Sequence, residues 1–131
     1  MKLKEVFPSA VMVRGILFVR VTDVLDSRPY LDEKNFEGFL SGLAVLRATD
    51  FENYALSFAG LTFVSSAALG QLVGFQEYLE GQNKRLLIYE LAPKVKVVFE
   101  ELGLDRYFDV YGLKGHVLRY FHTSRPRTRT E

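Results

Sequence analysis

The strongest constraint on the fold is a strand, a helix and a second strand in direct succession. Along Tyr54–Ala59 the apolar side chains of Leu56 and Phe58 point to one side of a predicted strand. A helical pattern follows over Ser66–Glu80, and Lys84–Leu91 is then apolar at nearly every central position. A strand that is apolar on both faces is typical of the centre of a parallel sheet. The three segments therefore predict a right-handed βαβ unit in an α/β protein.

The residues before this unit predict two extended segments and a helix. Val11–Val13 and Ile16–Val21 are rich in β-branched and aromatic residues, and Arg14-Gly15 between them fits a turn or bulge. Apolar residues then recur at steps of three and four from Asp32 to Ala48, which predicts a helix with Asp32 as its N-cap.

The residues after the unit predict a third helix and a final strand. Pro93 suits the first position of a helix, and Gly103 suits its end. Tyr107–Tyr111 is predicted to be a short strand, and the residues from Val117 to Phe121 a last helical turn or two. We expect one domain over residues 1–123 and a basic tail over residues 124–131, which contain three arginines and one glutamate.

The second helix has an unusual pair of glycines. Gly70 and Gly74 lie four residues apart and therefore on one face of that helix. A glycine within a helix costs about 1 kcal/mol relative to alanine, so the pair predicts a groove into which another part of the protein packs closely.

Composition excludes several classes of function. The 131 residues are 48% hydrophobic, enough for a packed core, and there is no cysteine, which excludes disulfides, thiol catalysis and cysteine metal sites. No secretory signal or membrane span is visible, so we expect a cytoplasmic protein. His116 and His122 are the only histidines, and no acidic cluster accompanies them. With no phosphate-binding glycine loop either, we expect no catalytic residue, no metal and no cofactor, hence no enzyme.

Two serines mark the point where a strand passes into the second helix. Backbone N–H groups are free at such a junction, so a hydroxyl there can cap the helix, help to bind an anion, or carry a phosphate. No glycine loop or basic residue flanks Ser65-Ser66, which disfavours the anion site. The interpretation we favour divides the other two roles, with Ser66 capping and Ser65 presented. Asp23 and Asp26 are either turn residues or an acidic rim near these serines.

The segment from Gly60 to Gly70 resembles the signature of STAS domains, the family named for sulfate transporters and anti-sigma-factor antagonists. Lys84–Ile88 resembles the strand that follows in that family, and Val21–Asp26 resembles an earlier strand end. Further matches occur in the family's order at Pro93, Val95, Phe99, Gly103, Leu104, Asp105 and Phe108. The resemblance covers roughly residues 11–112.

This resemblance implies both a fold and a function. The fold would be a mixed sheet of four or five strands with helices packed on one side. The function would be that of a non-enzymatic signalling module in transcription regulation, whose partner is an anti-sigma factor that is also an ATP-dependent kinase. Carried over by position, the phosphorylated residue is Ser65. The implied partner-binding residues are Asp23, Asp26, Val64, Ser65, Ser66, Ala67 and Leu69.

Two positions depart from the family signature. Val64 stands where the family has aspartate, and Ala67 stands where it has glycine. An alternative is therefore a structural STAS subunit of a multiprotein complex that has no phosphorylation switch. A homodimer is also left open. Nucleic-acid binding by the basic tail is disfavoured, because its arginines are not interleaved with aromatic residues.

Overall fold

A five-stranded mixed sheet forms the centre of the molecule in the computed structural model, which describes residues 2–121. The strands in chain order are β1 (Val11–Val13), β2 (Ile16–Arg20), β3 (Tyr30–Leu31), β4 (Asn53–Ser57), β5 (Phe63–Val64), β6 (Arg85–Tyr89) and β7 (Asp109–Tyr111). The main sheet has the order β1-β2-β4-β6-β7, and β3 pairs with β5 in a separate two-stranded sheet. Only β1 runs antiparallel to its neighbour in the main sheet.

Helices cover this sheet. They are α1 (Leu3–Val6), α2 (Phe36–Arg47), α3 (Ser66–Glu80), α4 (Pro93–Glu101), α5 (Leu104–Tyr107) and α6 (Lys114–Tyr120). Side chains of α2, α3 and α4 share one continuous core with one face of the sheet. The mixed sheet with helices packed on one side confirms the predicted fold class. The short α6 adds cover to the other face through Val117.

The predicted βαβ unit is present as β4, α3 and β6. Strands β4 and β6 are parallel neighbours, with Asn53 opposite Arg85 and Ser57 opposite Tyr89. Leu56 belongs to the core beneath the three long helices, and Ala55 belongs to the smaller core beneath α6. The small side chain of Ala55 thus allows α6 to approach, because strand residues alternate between faces.

The two predicted N-terminal extended segments are also confirmed, and of the two alternatives for Arg14-Gly15 the structure shows the turn, which joins β1 and β2 into a hairpin. Val13 pairs with Ile16, and the turn between them places Arg14 at φ 53° and Gly15 at φ 80°. Positive φ at both central residues matches the twist of a two-residue hairpin. Strand β2 ends at Arg20, and Val21–Val24 forms a 3₁₀ turn rather than continuing the strand.

The first long helix begins later than the sequence predicted, and Asp32 is not its N-cap. Helix α2 begins at Phe36 with Asn35 at the N-cap position. The Asp32 carboxylate instead accepts a hydrogen bond from the Lys34 N–H at 2.9 Å, and the Asn35 amide donates to the Tyr30 carbonyl at 2.8 Å. The helical spacing missed this turn because Tyr30–Leu31 forms β3, whose pairing partner lies far along the chain.

The C-terminal prediction holds in part. Helix α4 has Pro93 in its first turn, and Gly103 follows it in the left-handed conformation at φ 73°. Tyr107 was predicted to open the last strand, but it ends the short helix α5, and β7 begins at Asp109. The final helix is present but begins earlier than predicted, covering Lys114–Tyr120. The predictions for His122 and for residues 124–131 fall outside the described residues.

Candidate functional site

A second, two-stranded sheet holds the Ser65 junction in place. Strand β5 pairs in parallel with β3, so that Leu31 lies opposite Val64. The Ser65 N–H continues the ladder by donating to the Leu31 carbonyl at 2.9 Å. One step earlier, the Thr62 N–H donates to the Pro29 carbonyl at 2.6 Å. The chain is therefore fastened on both sides of β5 immediately before α3 begins.

Ser65, and not Ser66, caps helix α3. Ser65 has extended backbone angles, and its Oγ accepts a hydrogen bond from the Ala68 N–H at 3.2 Å. Ser66 is already the first residue of the helix and is exposed. The predicted division of roles, with Ser66 as the cap, is wrong. A hydroxyl can accept and donate at once, so the cap bond leaves the Ser65 O–H proton available to another acceptor.

The implied binding residues around Ser65 fall into two groups, one at the surface and one buried beneath it. Ser66 and Ala67 are exposed and Ser65 is half-buried, so these three lie at the surface. Val64 and Leu69 are only 8% and 4% exposed, because both belong to the main core that the sheet shares with α2, α3 and α4. A partner at this junction would therefore meet the three small residues directly.

The two aspartates lie in turns, as the first of our two interpretations predicted. Asp23 lies in the 3₁₀ turn, and its carboxylate accepts hydrogen bonds from the backbone N–H (2.9 Å) and the hydroxyl of Ser9. Asp26 is exposed with φ 53° in the loop that leads to β3. No hydrogen bond or ion pair within residues 2–121 joins either carboxylate to Ser65 or Ser66.

The glycine pair of α3 faces open space, which contradicts the predicted close packing. A Cβ atom built on Gly70 or on Gly74 would meet nothing within 4 Å. The face that starts at Ala67 therefore continues along the helix as a strip of small residues without a packing partner in the described part of the chain.

A separate polar cluster lies at the ends of β4 and β6. The buried Ser57 hydroxyl donates to Glu90 Oε1 at 2.7 Å and accepts from the Ala59 N–H at 3.1 Å. Burial, reinforced by the nearby Glu90 carboxylate, raises the pKa of Tyr89 to about 12. The Tyr89 phenol is therefore neutral at physiological pH and cannot act there as a base. The hydrogen bond between Ser57 and Glu90 links the ends of β4 and β6, so the cluster has a structural role.

Neither a metal centre nor a membrane helix is found in the described part of the chain. No group of three or more histidines, cysteines, aspartates or glutamates within residues 2–121 could hold a metal ion. None of the helices in that range is both long enough and apolar enough to cross a bilayer.

Sequence reasoning missed one prominent residue of the site. Phe63 is 53% exposed immediately before the Ser65 cap, whereas its neighbour Val64 is buried. Adjacent residues of a strand point to opposite sides, so the alternation would have been the available signal. It could not be used without knowing that β5 exists, and a two-residue strand has no recognisable pattern of its own.

Comparison with known proteins agrees with this architecture. The sequence model of the STAS domain matches residues 11–116 of the chain. No curated protein matches the sequence closely enough to count as a relative. A candidate anti-sigma factor antagonist from Thermotoga maritima has a similar structure, with a TM-score of 0.73 and 15% identity over 89% of this chain and 95% of its own.

Two further solved structures have the same fold. A STAS-domain protein from Planctomyces limnophilus, described as an anti-sigma-factor antagonist, matches at TM-score 0.73 and 14% identity, covering 86% of this chain and 96% of its own. The Bacillus cell fate determinant SpoIIAA in its phosphorylated form matches at TM-score 0.60 and 18% identity, covering 85% and 96%. These identities show a shared fold, and the family match over residues 11–116 shows the family: the chain belongs to the STAS-domain family.

Proposed function

We propose that this protein is a non-enzymatic signalling module that binds a protein partner through the surface at the start of α3. The partner is an anti-sigma factor of the ATP-dependent kinase type, which places the protein in the cytoplasm. The observation that carries the proposal is the Ser65 junction, where a capping hydroxyl lies among the exposed residues Phe63, Ser66 and Ala67. The similar fold of anti-sigma-factor antagonists supports it.

The exposed residues suit a protein contact. Phe63 leaves more than half of its surface open to water, and burying an aromatic ring is among the larger contributions to binding. Ala67 and Gly70 beside it have almost no side chain, so a partner can approach the backbone of α3 closely. Of the two aspartates carried over from the family, only Asp26 is exposed, whereas the carboxylate of Asp23 is engaged by Ser9.

The same geometry suits a phosphorylation switch at Ser65. A phosphate adds a charge of about −1.5 to −2, and the N-terminus of a helix stabilises negative charge. The first turn of α3 contains no acidic residue that would repel it. The modification would therefore leave the fold intact while it changes the charge and shape of the partner-binding surface. SpoIIAA, which has the same fold, is known in a phosphorylated form.

Val64 does not stand in for the aspartate of the family signature. Its side chain lies in the core opposite Leu31 and cannot meet a partner or orient a hydroxyl. A kinase would therefore act on Ser65 without that carboxylate, at an Oγ that already accepts the Ala68 N–H, a hydrogen bond that contributes about 1 kcal/mol to the helix.

The test uses the full chain, a candidate anti-sigma factor of the kinase type from the same organism, and ATP. We expect a complex without ATP, and with ATP the transfer of one phosphate and release of the complex. Ser65→Ala should abolish phosphate transfer but keep the complex, and Ser65→Asp should weaken the complex. Ser66→Ala is the matched control for phosphate transfer, which it should leave unchanged. No complex under any condition would refute the proposal, and phosphate on Ser66 would move the site by one residue.

The open face of α3 favours a second candidate, a structural subunit of a larger assembly. The strip from Ala67 through Gly70 to Gly74 could receive a permanent neighbour, because nothing within residues 2–121 covers it. In that case Ser65→Asp should leave the complex intact, whereas Gly70→Leu should disrupt it. Loss of the complex with Ser65→Asp would count against this candidate.

A further inference from the structure

A groove beside the Ser65 junction contains a preformed apolar cavity. It lies between the β5–α3 junction and helix α4, and its volume is about 170 Å³. Its apolar walls are Phe63, Val64, Leu69, Val95, Val98 and Phe99. We call this feature the α3–α4 groove.

The floor of the α3–α4 groove is tightly packed and its rim is open. Val95 and Phe99 are 3% and 0% exposed, and Val64 and Leu69 join them in the main core, so the floor is held by packing from below. Phe63 and Val98 at the rim are exposed. The cavity therefore exists without any rearrangement, and an apolar ligand would cover surface that now faces water.

One cation stands at the edge of this apolar space. Lys94 is the only charged residue that lines the groove, and it is exposed on the first turn of α4. No hydrogen bond or ion pair links its ammonium group to another residue in the described range. Thr62, the remaining lining residue, is held by two hydrogen bonds to the Pro29 carbonyl. An anionic group on a ligand would therefore find its only charged partner at Lys94.

Size narrows the ligand class further. An apolar cavity of about 150 Å³ in a protein core is known to hold one benzene molecule. The α3–α4 groove, at about 170 Å³, has room for one such ring. We propose that the α3–α4 groove is a binding site for small carboxylates that carry one aromatic ring, with the ring among Leu69, Val95 and Phe99 and the carboxylate beside Lys94.

Other ligand classes fit less well. An inorganic anion would leave the apolar walls uncovered, and Lys94 alone is a single exposed charge. An amine of the same size would place like charges together at the rim. Because the site is built within this chain, the proposal does not depend on the protein partner described above, and either can fail while the other stands.

The direct test is a titration of the ¹⁵N-labelled full chain with 3-phenylpropanoate, followed by NMR. We expect saturable shifts confined to amides of β5, the first half of α3 and α4, with a dissociation constant in the millimolar range that is usual for a ligand of this size. 3-Phenylpropan-1-amine has the same ring and chain with the opposite charge, and it should bind about two- to fivefold more weakly. No saturable shift with 3-phenylpropanoate, or shifts scattered over the whole surface, would overturn the site. Equal binding of the two probes would overturn the role of Lys94.

Helix α4 supplies matched variants on either side of the groove. Lys94→Glu should weaken 3-phenylpropanoate binding about two- to fivefold, whereas Lys96→Glu, an exposed residue outside the groove, should not. Val98→Trp should fill the cavity and abolish binding, whereas Val97→Trp on the exposed side should leave it unchanged. All four positions are exposed, so the folded spectrum should persist in each variant. Equal effects within both pairs would refute the proposal.

Discussion

Helices α2 and α3 each carry two glycines four residues apart, and the two pairs have opposite surroundings. In α2, a Cβ built on Gly38 would lie 2.6 Å from the Val24 carbonyl oxygen, and one on Gly42 would lie 3.0 Å from Phe7 and from Val24. In α3, a Cβ on Gly70 or Gly74 would meet nothing within 4 Å. The α2 pair thus lets the helix approach the 3₁₀ turn, whereas the α3 pair leaves a bare surface.

The difference shows that two glycines spaced four residues apart in a helix predict a site of close packing. The spacing does not tell whether the group that packs there belongs to the same chain or to a partner. The cost of a helical glycine is repaid within the fold in α2. In α3 no described residue packs against the glycines to offset their free-energy cost. A surface that retains this cost and lies next to the Ser65 cap is consistent with the proposed contact to a partner.

The largest expected effect on stability concerns Val64 and Phe63, two neighbouring residues at the boundary between the exposed surface of α3 and the core. Val64→Asp should lower the free energy of unfolding by about 3 kcal/mol, because a polar group replaces an apolar one in a buried position. Phe63→Asp, one residue earlier and exposed, should cost less than about 1 kcal/mol. Urea denaturation of both variants checks this. Similar losses of stability in the two variants would show that Phe63 is packed as well as Val64. The surface beside α3 would then not be open, and its difference from α2 would no longer hold.

The next effect tests the packed pair directly. Gly38→Ala should lower the free energy of unfolding by about 2 kcal/mol, because the new methyl group requires the Val24 carbonyl or the helix to move. Gly42→Ala should cost less, since the atoms it meets belong to side chains that can shift. Thermal unfolding of the two variants gives the order. A gain in stability from Gly38→Ala would mean that α2 and the 3₁₀ turn are not in close contact in solution.

A smaller effect concerns the cap from which the open surface of α3 starts. Ser65→Ala should destabilise the protein by about 1 kcal/mol, because the Ala68 N–H loses its acceptor. Ser65→Asp should cost little, since aspartate also caps helices and its charge suits the N-terminus. Ser66→Ala is the control and should change the free energy of unfolding by less than about 0.5 kcal/mol. Equal losses at the two serines would contradict the assignment of the cap to Ser65.

The sequence predicted what depends on local pattern and missed what depends on distant pairing. The βαβ unit, the two N-terminal strands and the Pro93 helix were predictable because each has its own periodicity or residue pattern. The start of α2 was not, because Tyr30–Leu31 becomes a strand only by pairing with Phe63–Val64. The Ser65 junction was found from its position between strand and helix. Which serine caps was not, because the register of that same small sheet decides where α3 begins.

The smallest effects give the most specific test of the open surface. Gly70→Ala and Gly74→Ala should each raise the free energy of unfolding by about 0.5 to 1 kcal/mol, because the methyl group meets nothing and alanine favours the helix. If this face also receives the partner, Gly70→Ala should weaken the complex while it stabilises the free protein. Opposite signs for stability and affinity cannot arise from damage to the fold, so thermal unfolding and a binding measurement on the same variant separate the two. If Gly70→Ala stabilises the protein but leaves its affinity for the partner unchanged, the partner binds elsewhere on the molecule.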